Sequence, residues 1–489
     1  MSKLKFIVLT SGWDGMPIAY HLQQEGYNVT VGQVQDKDEL QNNEPKEDPE
    51  ERADRLSQYD GMLKKIPASK LVDALKKVDN KDDYFIFCDQ NSLWYYSEQL
   101  LSAGFKHGLF PTRQNYLFEK NREEAMTFVE KHYAGIKLIP YHEFKSVDDA
   151  KSFINDNQGA YVLQSKGDFC STVVPTSNDE KLASEQIINQ LETNRAKYEK
   201  GGIILKTKLI DPVEVTPQIV FYNGEPVFTD IDIETKNIGD GNNNGNQVGC
   251  GSNLIVATNI DEKINTLAFP KIIYDMAKEH AGMFVWDISL YITNDGIFFG
   301  EFCPNRLGYD AVMTEMTMAN GAGKYFESII AGKNPLEDKF GVAVRLFNLM
   351  KYKNVQVLFN DIKENVWLYD VKNKDSDIVS VGSDWDLGVL TASGNSLIDT
   401  IEELYEQKSE FVFKELYTRT LSDFKDIYPT SIMTRFKEIN HKYIEAPDAD
   451  KFDKFYANKL KSEIDYINKK KNDEIDALRS EIADILKEE

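Results

Sequence analysis

The order of the patterns at the start of this chain constrains its fold most. An apolar run at residues 3–10 ends in the turn Ser11-Gly12-Trp13-Asp14-Gly15, and residues 16–24 carry Ile18 and Leu22 four apart before a stop at Gly26. A second strand-like run follows at 27–34, then Tyr84-Phe85-Ile86-Phe87-Cys88, then a helical stretch at 94–101. Strands alternating with helices in this way predict an open α/β domain over residues 1–115. The charged stretch 35–55 reads as an exposed loop or a solvated helix.

The pattern then changes. Helical spacing at 121–132 and 147–154 is followed by strands at 160–163 and 171–174, a long helix at 181–198 and a strand at 202–205, a compact α+β unit. Runs at 218–222 and 227–233 flank Asn223-Gly224, a strong hairpin signal, and runs at 284–293 and 297–303 flank Asn294-Asp295-Gly296. Mixed strands return from 341, and residues 400–416 read as helical. Residues 451–489 contain neither Gly nor Pro and place Phe452, Phe455, Leu460, Ile464, Ile467, Ile475, Leu478, Ile482 and Ile485 at near-helical spacing. That is an amphipathic helix, packing on itself or on a protein partner.

At 489 residues the chain is too long for one core. The expected divisions are 1–115, 116–335 with a small lid at about 135–208, 336–427, and a helical extension at 428–489. With 57 Lys and Arg against 80 Asp and Glu the net charge is −23, which disfavours binding to nucleic acid or anionic membranes but leaves room for a phosphorylated small molecule in a locally basic cleft. The apolar run near the N-terminus is too short for a secretory core, and no stretch reaches membrane-span length. Cys88, Cys170, Cys250 and Cys303 lie far apart, as reduced structural thiols do, so the expected location is cytoplasmic.

Two stretches could carry chemistry. Residues 236–251 hold five Gly and five Asn, which rules out a helix or a good strand. Such a loop is either plain surface or a cradle whose backbone N–H groups face an anion. The second stretch is Gly300-Glu301-Phe302-Cys303-Pro304-Asn305-Arg306-Leu307-Gly308. A carboxylate and an amide oxygen there can share a hard cation while the arginine neutralises phosphate, or the segment is a strand end with a surface ion pair. Across the second hairpin Asp287 has the parity to share a face with Glu301.

The loop at Lys236, Gly239, Asp240, Gly241, Asn246, Gly249 and Gly251 resembles the Lys-Arg-Val-Gly-Asp-Gly…Asn…Gly-Gly-Met-Gly segment of phosphoribosylamine–glycine ligases. The segment from Glu301 resembles their Glu-Phe-Asn-Cys-Arg signature, with two extra residues before Asn305. The likeness extends patchily over about residues 1–425 and includes Val381-Gly382-Ser383 and Leu387-Gly388-Val389.

The resemblance implies a multidomain α/β and α+β chain: an ATP-grasp fold with a Rossmann-like N-terminal domain, a C-terminal α+β domain and a helical tail. It implies ATP and Mg²⁺ (or Mn²⁺) as cofactors. Glu301, Asn305 and Asp287 would hold the metal, and Arg306, Lys236 and Asp240 would act in catalysis. Arg122, Gln164, Lys166, Lys206, Lys208, Leu209 and Glu214 would bind the nucleotide. Gly12, Asp14, Gly15, Asn246, Gly249 and Gly251 would bind substrate.

The sequence also departs from the family. A strand lysine is replaced by Gln164, with Lys166 two residues on; the flap at 168–172 has no lysine; and the Gly-Gly-Arg-Glu-His loop becomes Gly12-Trp13-Asp14-Gly15-Met16. The implied reaction is ATP-dependent amide formation through an acyl phosphate, as in the purine-pathway joining of glycine to phosphoribosylamine. A ligase for another amine and carboxylate, or a non-catalytic scaffold on the same fold, is the alternative.

Overall fold

The computed structural model packs as two units, Met1–Leu421 and Ser422–Glu489. It describes residues 4–12, 14–40, 47–166, 170, 172–177, 179–210, 212–236, 238, 251–305, 309–359 and 363–419, all in the first unit. The helix expected at 451–489 lies outside the described residues.

The opening repeat builds β1 (Lys5–Thr10), β2 (Asn28–Gln33), β3 (Lys65–Pro67), β4 (Tyr84–Cys88) and β5 (Gly108–Leu109), paired in parallel in the order β5-β4-β1-β2-β3. Parallel strands need crossovers, and the helices that supply them cover both faces, so Phe6, Ile7, Val8 and Leu9 are all buried. The charged stretch behaves differently from its composition. Helix Pro49–Ser57 drives Arg55 inward to 4% exposure, where its guanidinium donates to Ser11 O and Val34 O and pairs with Glu47.

β5 joins this parallel half to the antiparallel one. Gly108 sits there at φ +156°, and a Cβ on it would lie 1.8 Å from Ile86 O. Gly108→Ala is therefore expected to cost about 3 kcal/mol or more, because the obstacle is backbone and cannot rotate away, and urea unfolding would show it.

A small three-stranded sheet follows. After β6 (Ile136–Lys137) come β7 (Tyr141–Phe144), β8 (Tyr161–Ser165) and β9 (Ile203–Thr207), in the order β7-β9-β8. Helices Val147–Asp156 and Glu180–Thr193 cover one face of it through Val147, Ile154, Ile187 and Leu191, which pack on Leu163, Ile203 and Leu205. The helix expected at 181–198 breaks at Asn194 into Glu180–Thr193 and Arg195–Gly201, and the strand expected at 171–174 reduces to a single bridge, Leu163 to Val173.

The large sheet continues through β10 (Val213–Tyr222), β11 (Glu225–Thr235), β12 (Ser252–Thr258), β13 (Met283–Thr293), β14 (Gly296–Phe302) and β15 (Phe340–Phe347). Asn223 (φ 51°) and Gly224 (φ 84°) close the β10–β11 hairpin with both central residues left-handed, as a primed turn requires. Beyond β15, β16 (Leu358–Phe359) lies outside the large sheet, β17 (Val366–Leu368) joins it, β18 (Val371–Lys374) and β19 (Asp377–Ser380) form a separate hairpin, and β20 (Asp386–Gly394) lies between β15 and β17. β21 (Phe411–Val412) pairs with β16, so the helix expected at 400–416 ends sooner, at Leu397–Ser409. The order β17-β20-β15-β12-β11-β10-β13-β5 makes one sheet of both halves.

Helix Gly15–Gln24 sends His21 against Trp367 of β17, rings stacked 3.8 Å apart, with Nε2 against Val366 O at 2.9 Å. Burial lowers the pKa of His21 from 6.5 to about 4, with the Val366 carbonyl opposing it. The unfolded chain therefore binds the proton first, so His21 costs nothing above pH 6.5 and destabilises increasingly from there down to about 4. Between pH 7 and 4 the protein is expected to lose about 3 kcal/mol more than His21→Gln, measured by urea unfolding at each pH.

Candidate functional site

Alternate residues on the central strands turn a polar face out of an apolar sheet. In β11 the sequence Asp230-Ile231-Asp232-Ile233-Glu234 puts three carboxylates on one side and buries two isoleucines on the other. Register then builds rows across the sheet. Asp230 pairs with Gln218, and Gln218 with Asp287; Asp232 pairs with Thr216; Glu214 pairs with Tyr291. The sequence reading missed Asp230, Asp232 and Glu234, although their strict alternation between apolar residues was the signal.

The row nearest β14 forms a charged cluster. Lys236, just past β11, forms ion pairs with Glu234 and, at 3.6 Å, with Glu214. Burial opposes the charge of Lys236, but Glu214, Glu234 and Glu301 outweigh it and hold its pKa well above the usual lysine range. Glu214 is pushed up by burial, with Lys236 opposing, and accepts a hydrogen bond from Ser289 Oγ at 2.7 Å.

From the small sheet, register sets Gln164 opposite Ile204 and Lys206 opposite Val162, away from the helices that cover its other face. Lys206 is 9% exposed, and burial lowers its pKa to about 8, helped by Arg122 and opposed by Glu301. Arg122 opens helix Arg122–His132, which Asn121 caps by accepting from Glu124 N–H at 3.3 Å. Lys206 thus feels the charges of Arg122 and Glu301, and Lys236 those of Glu214 and Glu301, although the five residues come from five separate segments.

Other expected residues have different settings. Lys166 forms an ion pair with Glu143, and Lys208 donates to the carbonyls of Pro175 (2.8 Å) and Ser177 (3.2 Å). Leu209 is half-buried after β9. Asp287 accepts from Cys303 N–H at 2.9 Å and lies near Asp230. Asn305, expected as a metal ligand, is engaged within the chain. It is fully buried, its Oδ1 accepts from Val285 N–H (3.2 Å) and its Nδ2 donates to Phe110 O (2.7 Å), so it braces the junction of β5 and β13. Gly251 donates to Thr235 O and accepts from Arg345 N–H, linking β11 to β15. Arg306, Asp240, Asn246 and Gly249 lie outside the described residues.

In the first loop Gly12 has φ +117° and Asp14 is fully buried. Gly15 N–H donates to Asp89 Oδ2 at 3.0 Å, and the same oxygen accepts from Thr10 Oγ1 at 2.5 Å. No described helix is long and apolar enough to cross a membrane.

No family model and no curated protein matches the sequence. Solved structures do match. Phosphoribosylamine–glycine ligase from Thermotoga maritima superposes with a TM-score of 0.60 at 14% identity, covering 85% of this chain and 99% of that one. Biotin carboxylase from Campylobacter jejuni, solved with a β-γ-ATP ligand, gives 0.56 at 13% identity over 92% and 97% of the two chains. The biotin carboxylase domain of 2-oxoglutarate carboxylase from Hydrogenobacter thermophilus, solved with MgADP, ADP and bicarbonate, gives 0.53 at 11% over 91% and 95%. At these identities the likeness is one of architecture, and it covers nearly the whole of each solved chain: this protein is a divergent chain of the ATP-grasp fold.

Proposed function

We propose that the chain is an ATP-dependent carboxylate–amine ligase. The observation that carries this reading is that Lys206, with Arg122 near it, and Lys236 both feel the charge of Glu301, so that cations from two sheets lie near a carboxylate on a sheet face. A triphosphate brings about four negative charges, which such a group neutralises. The charges are held in advance of binding, so little reorganisation is needed when a phosphoryl group moves.

Asp287 and Glu301, hard oxygen donors on one hairpin, suit Mg²⁺. Among the described residues no three His, Cys, Asp or Glu side chains converge as a metal cage, and Mg²⁺ is commonly held by one or two carboxylates together with nucleotide phosphates. When bound, it would neutralise phosphate charge. Lys206 and Arg122 would hold the phosphates, and Lys236 would keep Glu214 and Glu234 from repelling them. The γ-phosphoryl group would pass to a carboxylate oxygen with ADP leaving, and an amine would then displace phosphate from the acyl carbon. The named function of the T. maritima structure makes glycine the first carboxylate to try and phosphoribosylamine the reference amine.

The test is calorimetric titration of the full chain with a non-hydrolysable ATP analogue, with and without Mg²⁺, beside Glu301→Ala. Binding that needs Mg²⁺ and weakens about 100-fold in the variant is expected. A wild-type chain that binds no analogue would sink the ligase reading and leave the scaffold alternative.

A further inference from the structure

Beyond the nucleotide-facing row, the same sheet face carries a second, more acidic group. Arg345 on β15 is 1% exposed and donates to Asp310 (2.9 Å) and Asp386 (3.0 Å). Asp310 lies in the first turn of helix Tyr309–Met318, and Asp386 opens β20. Asp232 on β11 is 5% exposed, its Oδ1 has no hydrogen-bond partner, and Asp310 and Glu234 both add to its charge repulsion. Asp310 and Asp386 thus share one guanidinium, and Asp232 lies close enough to Asp310 to feel its charge. Lys236, a cation near Asp232, is engaged with Glu214 and Glu234. Buried carboxylates in such excess are costly without a counter-charge.

An independent observation points to a ligand at the same place. Asn253 is 0% exposed, and neither its Oδ1 nor its Nδ2 has a hydrogen-bond partner. Register pairs it with Glu234 on β11 and Ala343 on β15, which places it on the face that carries Asp232 and Arg345, with a small side chain at its flank. A buried amide with both ends unmet is rare and costs about 1–3 kcal/mol for each group, so a ligand that meets it gains affinity.

The chemistry of the surroundings selects the ligand. The carboxylates do not converge on one point: no three described metal-ligating side chains form a metal site. Spread negative charge suits an extended organic cation. Phosphate is disfavoured nearby, because at the N-terminus of helix Gly15–Gln24 the Gly15 N–H already binds the Asp89 carboxylate.

We propose that the acceptor substrate is an amine bearing a second positive charge, of the diamine class, whose distal ammonium is held by Asp232 with Asp310 beside it and whose polar atoms are met by Asn253. This rests on the ligase reading above. The free, neutral amino group attacks the acyl-phosphate carbon. The C–N bond forms, the C–O bond to phosphate breaks with its electron pair leaving on phosphate, and the amine proton passes to solvent.

Calorimetry on the full chain, saturated with Mg²⁺ and the ATP analogue, tests this with 1,4-diaminobutane, 1-aminobutane and phosphoethanolamine as probes. The diamine is expected to bind about ten-fold or more tighter than the monoamine, with phosphoethanolamine failing to compete. Asp232→Asn is expected to remove that preference, and Asn253→Asp, which adds a carboxylate, to strengthen it by about ten-fold. Equal binding of diamine and monoamine, tighter binding of phosphoethanolamine, or displacement of the diamine by excess Mg²⁺ would each overturn the inference. Failure of the analogue itself to bind marks failure of the ligase reading; failure of the diamine with the analogue bound overturns only the cationic acceptor.

Discussion

Arg345→Met is expected to destabilise the protein by about 3–5 kcal/mol, the range for removing one member of a buried charge group. The side chains of Arg345 and Asp310 are 1% and 4% exposed, so water cannot replace the lost guanidinium. Asp310 and Asp386 would be left facing each other, and the cheapest response is to bind protons. Burial already pushes Asp386 up to about 7 with Arg345 opposing, so the variant should recover part of its loss as pH falls. Urea unfolding at pH 8 and pH 6 measures both effects. Replacing Asp310 and Asp386 by leucine alongside Arg345→Met is expected to return most of the stability, since apolar groups of similar size often substitute for a buried ion cluster without loss. A single variant as stable as the wild type at pH 8 would mean that the guanidinium carries no buried charge.

Lys236→Met is expected to weaken binding of the ATP analogue by about 100-fold, close to 2.7 kcal/mol. Methionine keeps the length of the stem and removes only the ammonium. Glu214 and Glu234 then lose their shared partner, and a triphosphate would meet two uncompensated carboxylates in place of a pair already half offset by the ammonium. Lys236→Arg should restore much of the affinity because the charge returns. Adding Glu214→Gln to Lys236→Met should recover stability more than affinity, because it relieves repulsion without supplying a cation. Unchanged affinity in Lys236→Met would place the phosphates elsewhere.

Much of the fold was legible in the sequence because local patterns decide it. The run at residues 3–10 with its following helix, the Asn223-Gly224 turn and the paired runs at 284–293 and 297–303 are period and turn signals. The misreadings occurred where tertiary packing overrides local preference. Arg55 lies in a charged stretch yet is buried, because Ser11 O, Val34 O and Glu47 satisfy its guanidinium. Residues after Ser409 leave the helix because β21 finds a partner strand in β16.

The site divides in the same way. The sequence, through its resemblance to the ligase family, singled out Glu301, Lys236, Lys206 and Arg122 as residues to watch. Only the tertiary structure decided which charges meet. Asp232, Asp310, Arg345 and Asp386 have no shared motif and lie up to 154 positions apart, yet strand register and one helix start bring them together. It also showed that the Asn305 amide makes hydrogen bonds within the chain. The physical reason is that periodicity tells which face a side chain occupies, whereas the net charge of a buried cluster depends on contacts between strands that are distant in sequence.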